Sequence, residues 1–346
     1  MTTSLVIQTS FLGDTVLTTP LLAELARRGA VDVVTTRASA SVLAHDPNVR
    51  RVIVFDKSGA DRGAAGLART AARIRAWWRD CGDDPRHTHA YLAQGSLRSA
   101  ALAVLSRAPA RTGFDDASGR LLYTERVPRR AGEHHAARLL SLADGRPGSA
   151  RDGASITPHL YPADDDRRAV NALLAEHPSD RATVALAPGS IWGTKRWPYY
   201  RELTERLAPR FRVAIIGGPD DADLAHAISD VAGTDAINAT GRLSLLASAE
   251  LIRRAIVLVT NDSLPQHLAS AVGTPTTTIF GPTVPEFGFG PLAQHSMTLG
   301  VETLPCRPCH HHGPPVCPLG HWRCMKDLDV DRVDAAVSLI IGKTTR

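Results

Sequence analysis

The chain has 346 residues, a length that predicts two domains at roughly 100–200 residues each. With 43% apolar and 22% charged residues it has the balance of a soluble globular protein, which excludes a disordered or collagen-like chain. The net charge is +5 and comes almost wholly from arginine, because Lys57, Lys195, Lys326 and Lys343 are the four lysines.

That surplus fits an anionic partner, either phosphates or an acidic membrane face, and fits equally a compositional bias toward arginine. No Lys/Arg tract with interleaved aromatics occurs, so no nucleic-acid partner is expected. No apolar run approaches the ~20 residues needed to span a bilayer. The N-terminus shows no basic region ahead of an apolar core, so a cytoplasmic protein without a signal peptide is expected.

Strand and helix patterns alternate along the chain. Residues 4–9, 31–35, 51–55 and 89–93 read as short β-rich runs, and 66–78 and 97–105 as helices. Pro20 suits a first helical turn, with Thr18 and Thr19 as candidate caps ahead of Leu21, Leu22 and Leu25. Residues 144–166, rich in Gly, Pro and charge, read as a linker. The alternation then restarts, with strands at 183–187, 212–217, 255–260 and 276–280 and helices at 199–207, 223–231 and 264–272. Such alternation implies parallel sheets covered on both faces, hence an α/β protein of two Rossmann-like domains. Ligands in these folds bind beyond the C-terminal ends of the strands.

Four stretches at such positions carry chemistry. The first, Ser10 to Thr15, puts Asp14 at the mouth of a helix, where the dipole favours a carboxylate. Asp14 either caps backbone amides or accepts a proton from an incoming hydroxyl. The second, Ala187 to Pro198, combines Gly and hydroxyl residues with Lys195 and Arg196, a composition suited to phosphate oxygens and a developing negative charge. The third, Thr260 to His267, offers Asp262 and Ser263 as caps and a helix N-terminus that can receive a diphosphate. Asp262 would repel that diphosphate unless Lys195 or a hydroxyl lies between, so its expected work is orientation. The fourth places Cys306, Cys309, Cys317 and Cys324 close together, with His310, His311, His312 and His321 among them. Four thiolates can close a structural zinc site or hold an iron–sulfur cluster; reduced thiols or a disulfide are the alternatives.

Together these stretches resemble glycosyltransferase family 9, the lipopolysaccharide heptosyltransferases, from about residue 4 to about residue 330. The likeness rests on SFLGDTVLTTPLL, PGSIWGTKRWP, TNDSLPQHLASAVGTPTTTIFGPTVPEFGFGP and CRPCHHHGPPVCPLGHWRCM in that order. The resemblance implies a GT-B fold, with two Rossmann-like domains facing across a cleft. Residues 1–160 would bind the acceptor and 161–325 the nucleotide sugar, and a C-terminal helix within 326–346 would pack back on the first domain.

It further implies metal-independent, inverting transfer of a heptose from a nucleotide-diphosphate donor, usually ADP-linked, to a phosphorylated glycolipid acceptor of the inner-core type. No catalytic cofactor is implied. The site would be cytoplasmic, at the inner face of the inner membrane. By matched positions, Asp14 is the general base and Gly13 lies beside the acceptor. Ser190, Thr194, Lys195, Asp262, Ser263, Leu264 and His267 line the donor site, and Asp220 or Asp221 holds the ribose. Leu264 stands where many members carry Gly, and an Asp stands where many carry a ribose-holding Glu. A different donor sugar, a binding protein without turnover, and a metal or redox module are the alternative readings. His134 and His135 precede a further helix and either face the acceptor or lie on the surface.

Overall fold

The computed structural model describes residues 2–144 and 155–344. The chain divides into two compact units, Met1–Tyr161 and Pro162–Arg346.

The first unit contains β1 (Thr3–Gln8), α1 (Leu12–Ala26), β2 (Val31–Thr35), α2 (Arg37–Ala40), β3 (Arg51–Val54), α3 (Gly63–Asp80), β4 (Thr88–Leu92), α4 (Leu97–Leu105), β5 (Ala110–Phe114), β6 (Glu125–Val127) and α5 (His135–Ser141). Its strands form one sheet in the order β3-β2-β1-β4-β5-β6, every pair parallel. Central strands of a parallel sheet are covered on both faces, and Leu5, Val6 and Ile7 of β1 are accordingly fully buried in succession. Helix α3 covers the sheet with Gly66, Thr70, Ala71, Ile74 and Trp78, one stripe at helical spacing. The Trp78 indole donates to the buried Asp32 carboxylate at 3.0 Å, and Arg50 grips the same group at 2.6 and 3.0 Å.

Helix α1 starts at Leu12, not at Pro20 as the sequence pattern predicts, and Pro20 lies inside it. An internal proline removes the N–H that would bond the carbonyl four residues back. Here that carbonyl belongs to Val16, and the Thr19 hydroxyl donates to it at 2.8 Å. Thr19, which looks like a cap, therefore repairs the helix interior. The Thr18 hydroxyl likewise donates to the Asp14 carbonyl at 2.7 Å.

The second unit contains α6 (Asp164–Glu176), β7 (Thr183–Ala187), α7 (Tyr200–Leu207), β8 (Arg212–Ile215), α8 (Ala222–Ser229), β9 (Ile237–Asn238), α9 (Leu245–Arg254), β10 (Val257–Asn261), α10 (Leu264–Val272), β11 (Thr276–Ile279), β12 (Met297–Leu299), α11 (Arg323–Lys326) and α12 (Val330–Thr344). Its sheet, again wholly parallel, runs β12-β11-β10-β7-β8-β9, the same winding as the first.

One expectation about the chain's organisation changes. Residues 145–154 of the expected linker lie outside the described residues, and residues 164–166 are instead the first turn of α6, where three successive aspartates suit the positive end of the helix. Within the second unit, α12 packs on α7 and on β10, β11 and β12. It buries Val333, Val337 and Ile340 there, each worth roughly 1.5–3 kcal/mol against exposure. No helix among the described residues is long and apolar enough to cross a membrane.

Candidate active site

In a sheet of this winding, neighbouring strands whose connections run to opposite sides leave a crevice at their C-terminal ends. That point falls between β1 and β4 in the first unit and between β7 and β10 in the second. Asp14 follows β1, whereas Lys195 follows β7 and Asp262 follows β10.

In the first unit, Phe11 occupies the cap position of α1 and provides no side-chain cap; Asp14 is the acidic residue of the first turn. Gly13 precedes it in that turn. The Asp14 side chain is 19% exposed, so a carboxylate oxygen is reachable from solvent. The loop before it is tied down: the Gln8 amide donates to Thr18 at 3.2 Å and accepts from the Ser10 N–H at 3.2 Å, and the Lys57 ammonium donates to the Thr9 carbonyl at 2.7 Å.

His135 Nε2 lies 3.8 Å from Asp14 Oδ1. Burial, reinforced by Arg129, Arg138 and His134, pushes its imidazole down to about 3. The ring is therefore neutral near pH 7, and the contact is a polar neighbour to Asp14, not an ion pair. His134 instead sits at the N-cap of α5, its Nδ1 accepting from the Ala136 N–H at 3.2 Å.

In the second unit, the Lys195 ammonium donates to Asp262 Oδ2 at 2.6 Å and to the Asp262 carbonyl at 3.2 Å. Gln266 donates to Asp262 Oδ1 at 2.9 Å, and Thr283 donates to Oδ2 at 2.7 Å. Lys195 and Asp262 are each 8% exposed. A buried pair held this way is internally neutral and stays in place because each charge has hydrogen-bonded company. Ser263 takes the cap position of α10 without a side-chain bond to the helix; its hydroxyl lies 3.4 Å from the Asn261 carbonyl instead. The first turn of α10 thus keeps the exposed partial positive charge of an uncapped helix. Leu264 begins that turn half-buried, and His267, one turn on, meets the Phe289 ring edge-on at 6.4 Å.

Asn261 ties the cradle together. Fully buried, it donates to the Pro188 carbonyl at 2.8 Å and accepts from the Trp197 N–H at 3.1 Å. Of the two ribose candidates, Asp220 is exposed, whereas Asp221 packs against the strand-end loops. A Cβ on Gly189 would fall 2.3 Å from Asp221 Oδ1, so only glycine admits this approach. Arg196 Nη2 lies 3.8 Å from the same carboxylate. Ser190 accepts from the Trp192 N–H at 3.3 Å. The Thr194 hydroxyl donates to the Pro314 carbonyl, which braces the loop.

The four clustered cysteines line one small cavity of about 40 Å³ together with His321. All are free thiols. Burial and then the neighbouring thiols push Cys324 up to about 11, so it stays protonated. Cys306 Sγ sits 3.9 Å from His321 Nε2. Among the described residues, no three His, Cys, Asp or Glu side chains are grouped to hold a metal ion, so the expected zinc or iron–sulfur site at Cys306, Cys309, Cys317 and Cys324 is not supported. The segment instead covers the loop after β7, with Gly313 against the Lys195 stem.

The sequence reading missed Gln266, Thr283 and Lys57. Thr283 carried a signal, since it directly follows the Gly-Pro at the end of a predicted strand. Gln266 lies within the quoted third motif, but only the fold shows it one turn above Asp262.

Two parallel sheets wound alike are the architecture of the GT-B fold. The sequence profile of glycosyltransferase family 9 (heptosyltransferase) matches residues 84–319. A lipopolysaccharide heptosyltransferase 1 from Pseudomonas aeruginosa is 30% identical over 322 residues, covering 88% of this chain and 85% of that protein. Among solved structures, a glycosyl transferase family 9 protein from Veillonella parvula superposes with a TM-score of 0.85 at 22% identity, covering 99% and 98% of the two chains. The E. coli ADP-heptose lps heptosyltransferase II gives 0.78 at 21% identity, with both chains fully covered. The chain belongs to glycosyltransferase family 9 and is a glycosyltransferase.

Proposed function

We propose that this enzyme transfers a heptose from ADP-heptose to a phosphorylated glycolipid acceptor of the lipopolysaccharide inner core, with inversion at the anomeric carbon. The observation that carries the reading is the cradle in the second unit, where the uncapped first turn of α10 begins beside the buried Lys195–Asp262 pair. The names of the P. aeruginosa and E. coli relatives support the same substrates.

In this reading Asp14 takes the proton from the acceptor hydroxyl as its oxygen bonds to the anomeric carbon. The bond from that carbon to the diphosphate breaks, and ADP leaves. The leaving charge is met by the α10 amides and by Lys195, with Asp262 orienting the ammonium. Ser263, Leu264 and His267 flank the donor and Asp221 holds the ribose. Gly13 permits the acceptor to approach Asp14. The chemistry needs no metal, because amides and a cation do its electrostatic work. The acceptor's lipid places the reaction at the cytoplasmic face of the inner membrane.

Asp14→Asn tests the base. Transfer from ADP-heptose is expected to fall by roughly 10²–10⁴-fold, with ADP affinity by calorimetry unchanged. Transfer persisting near the wild-type rate sinks the assignment. Because Leu264 replaces the common Gly, GDP- and UDP-sugars belong in the same assay; faster turnover of either would replace the ADP-linked donor.

A further inference from the structure

We propose that Arg307 is a positioning residue for the donor cradle, acting through Thr283 on the Lys195–Asp262 pair. The inference rests on the donor-site reading above and extends it into the cysteine-rich segment, which that reading leaves without a role.

The guanidinium of Arg307 is spent on backbone carbonyls. Its Nε donates to Gly281 at 2.6 Å and its Nη1 to Val301 at 2.9 Å. Its Nη2 donates to Phe280 at 3.0 Å and to Thr283 at 3.1 Å. Two residues on, the Cys309 N–H donates to the Pro282 carbonyl at 3.1 Å. Four successive carbonyls, 280 to 283, are thereby held from one short stretch of chain. The slot is closely fitted, since a Cβ on Gly300 would come within 2.5 Å of Arg307 Nη2.

A planar fork with five donors fixes several acceptors in one geometry, which a lysine ammonium cannot do. Here each partner is a neutral carbonyl, so the gain is shape more than charge pairing. The held segment ends in Thr283, which is 1% exposed and donates to Asp262 Oδ2 at 2.7 Å. The same oxygen accepts from Lys195 at 2.6 Å. Arg307 therefore fixes the backbone that fixes the hydroxyl that fixes the carboxylate behind the ammonium.

The test uses the full-length protein and ADP titrated by calorimetry. Arg307→Lys keeps the charge and loses the fork; it is expected to raise the Kd for ADP about tenfold. Its kcat at saturating donor is expected to fall as well, because Lys195 meets the leaving charge, and the coupling to Thr283 separates this from a merely structural staple. Thr283→Val is expected to weaken ADP similarly, and the double variant to be no weaker than Thr283→Val alone, because both lie on one chain of contacts. Unchanged ADP affinity in Arg307→Lys, or multiplied losses in the double variant, overturns the proposal. Should Arg307→Lys fold poorly, Gly300→Ala displaces the guanidinium without removing it and is expected to weaken ADP in the same direction.

Wild-type protein that fails to bind ADP would refute the donor-site reading and not this one. Arg307 would then be judged by acylation of Lys195, followed by mass spectrometry with Lys57, Lys326 and Lys343 as internal references. Lys195 is expected to react roughly five- to tenfold faster in Arg307→Lys, as its buried pair loosens. An unchanged rate refutes the coupling.

Discussion

His135 shows how far a single side chain's protonation is set by its surroundings. Held at about 3 in the folded chain, it binds fewer protons than the unfolded chain between pH 3 and its ordinary value of about 6.5. Stability therefore rises with pH across that window and is lost as pH falls through it. From pH 7 to pH 4.5 the native state should forfeit on the order of 2 kcal/mol through this group alone. Carboxylates also titrate there, so the measurement is a difference. The melting temperature of His135→Gln should fall less on acidification than that of wild type; parallel curves would show that the imidazole charges freely in the folded protein. At this scale the sequence reveals residue types but not their company. It leaves Asp220 and Asp221 open, and burial separates them only after the turn at 218–221 has formed. It places four thiols together, yet not their spacing around a shared point.

At the scale of elements, α1 shows a local rule overruled by a local repair. Pro20 reads as a helix start because the orphaned Val16 carbonyl, and its rescue by Thr19, are invisible until the turn is built. The Thr19 hydroxyl also accepts from the His159 N–H at 3.0 Å. Thr19→Val should thus destabilise the protein by about 2 kcal/mol, one bond's worth from each side. In a Pro20→Ala background the new N–H can reach Val16, so the same substitution should cost about 1 kcal/mol less. Equal costs in both backgrounds, read from denaturant midpoints, would show that the carbonyl is satisfied otherwise. Strands with dense β-branched runs, such as β1, β2 and β10, were legible. The strands β5 and β6 were not: ARTGF carries few apolar residues, and ERV is too short for any period to appear. Helix α9 carried a signal that the strand-end reading passed over, for Ser244 caps it by accepting from the Ala247 N–H at 3.0 Å.

For the molecule as a whole, alternation alone implied two parallel sheets, because a strand–helix repeat has few other ways to bury both faces. The common winding and the helix termini at each switch point required coordinates. Each unit carries its own sheet, and whether the two unfold independently can be measured. In the first unit Asp32 is fully buried between Arg50 and Trp78, so Asp32→Ala strands the indole and leaves Arg50 with Asp83 alone, and should cost about 1–3 kcal/mol there. The proposed donor cradle lies in the second unit, and ADP at 100 times its Kd should stabilise that unit by about 2.7 kcal/mol. Two-domain chains need not melt in one step. Scanning calorimetry should therefore resolve two transitions, one lowered by Asp32→Ala and the other raised by ADP. A single transition moved by both would show that the two cores unfold together, and that damage to the first unit reaches the nucleotide cradle of the second.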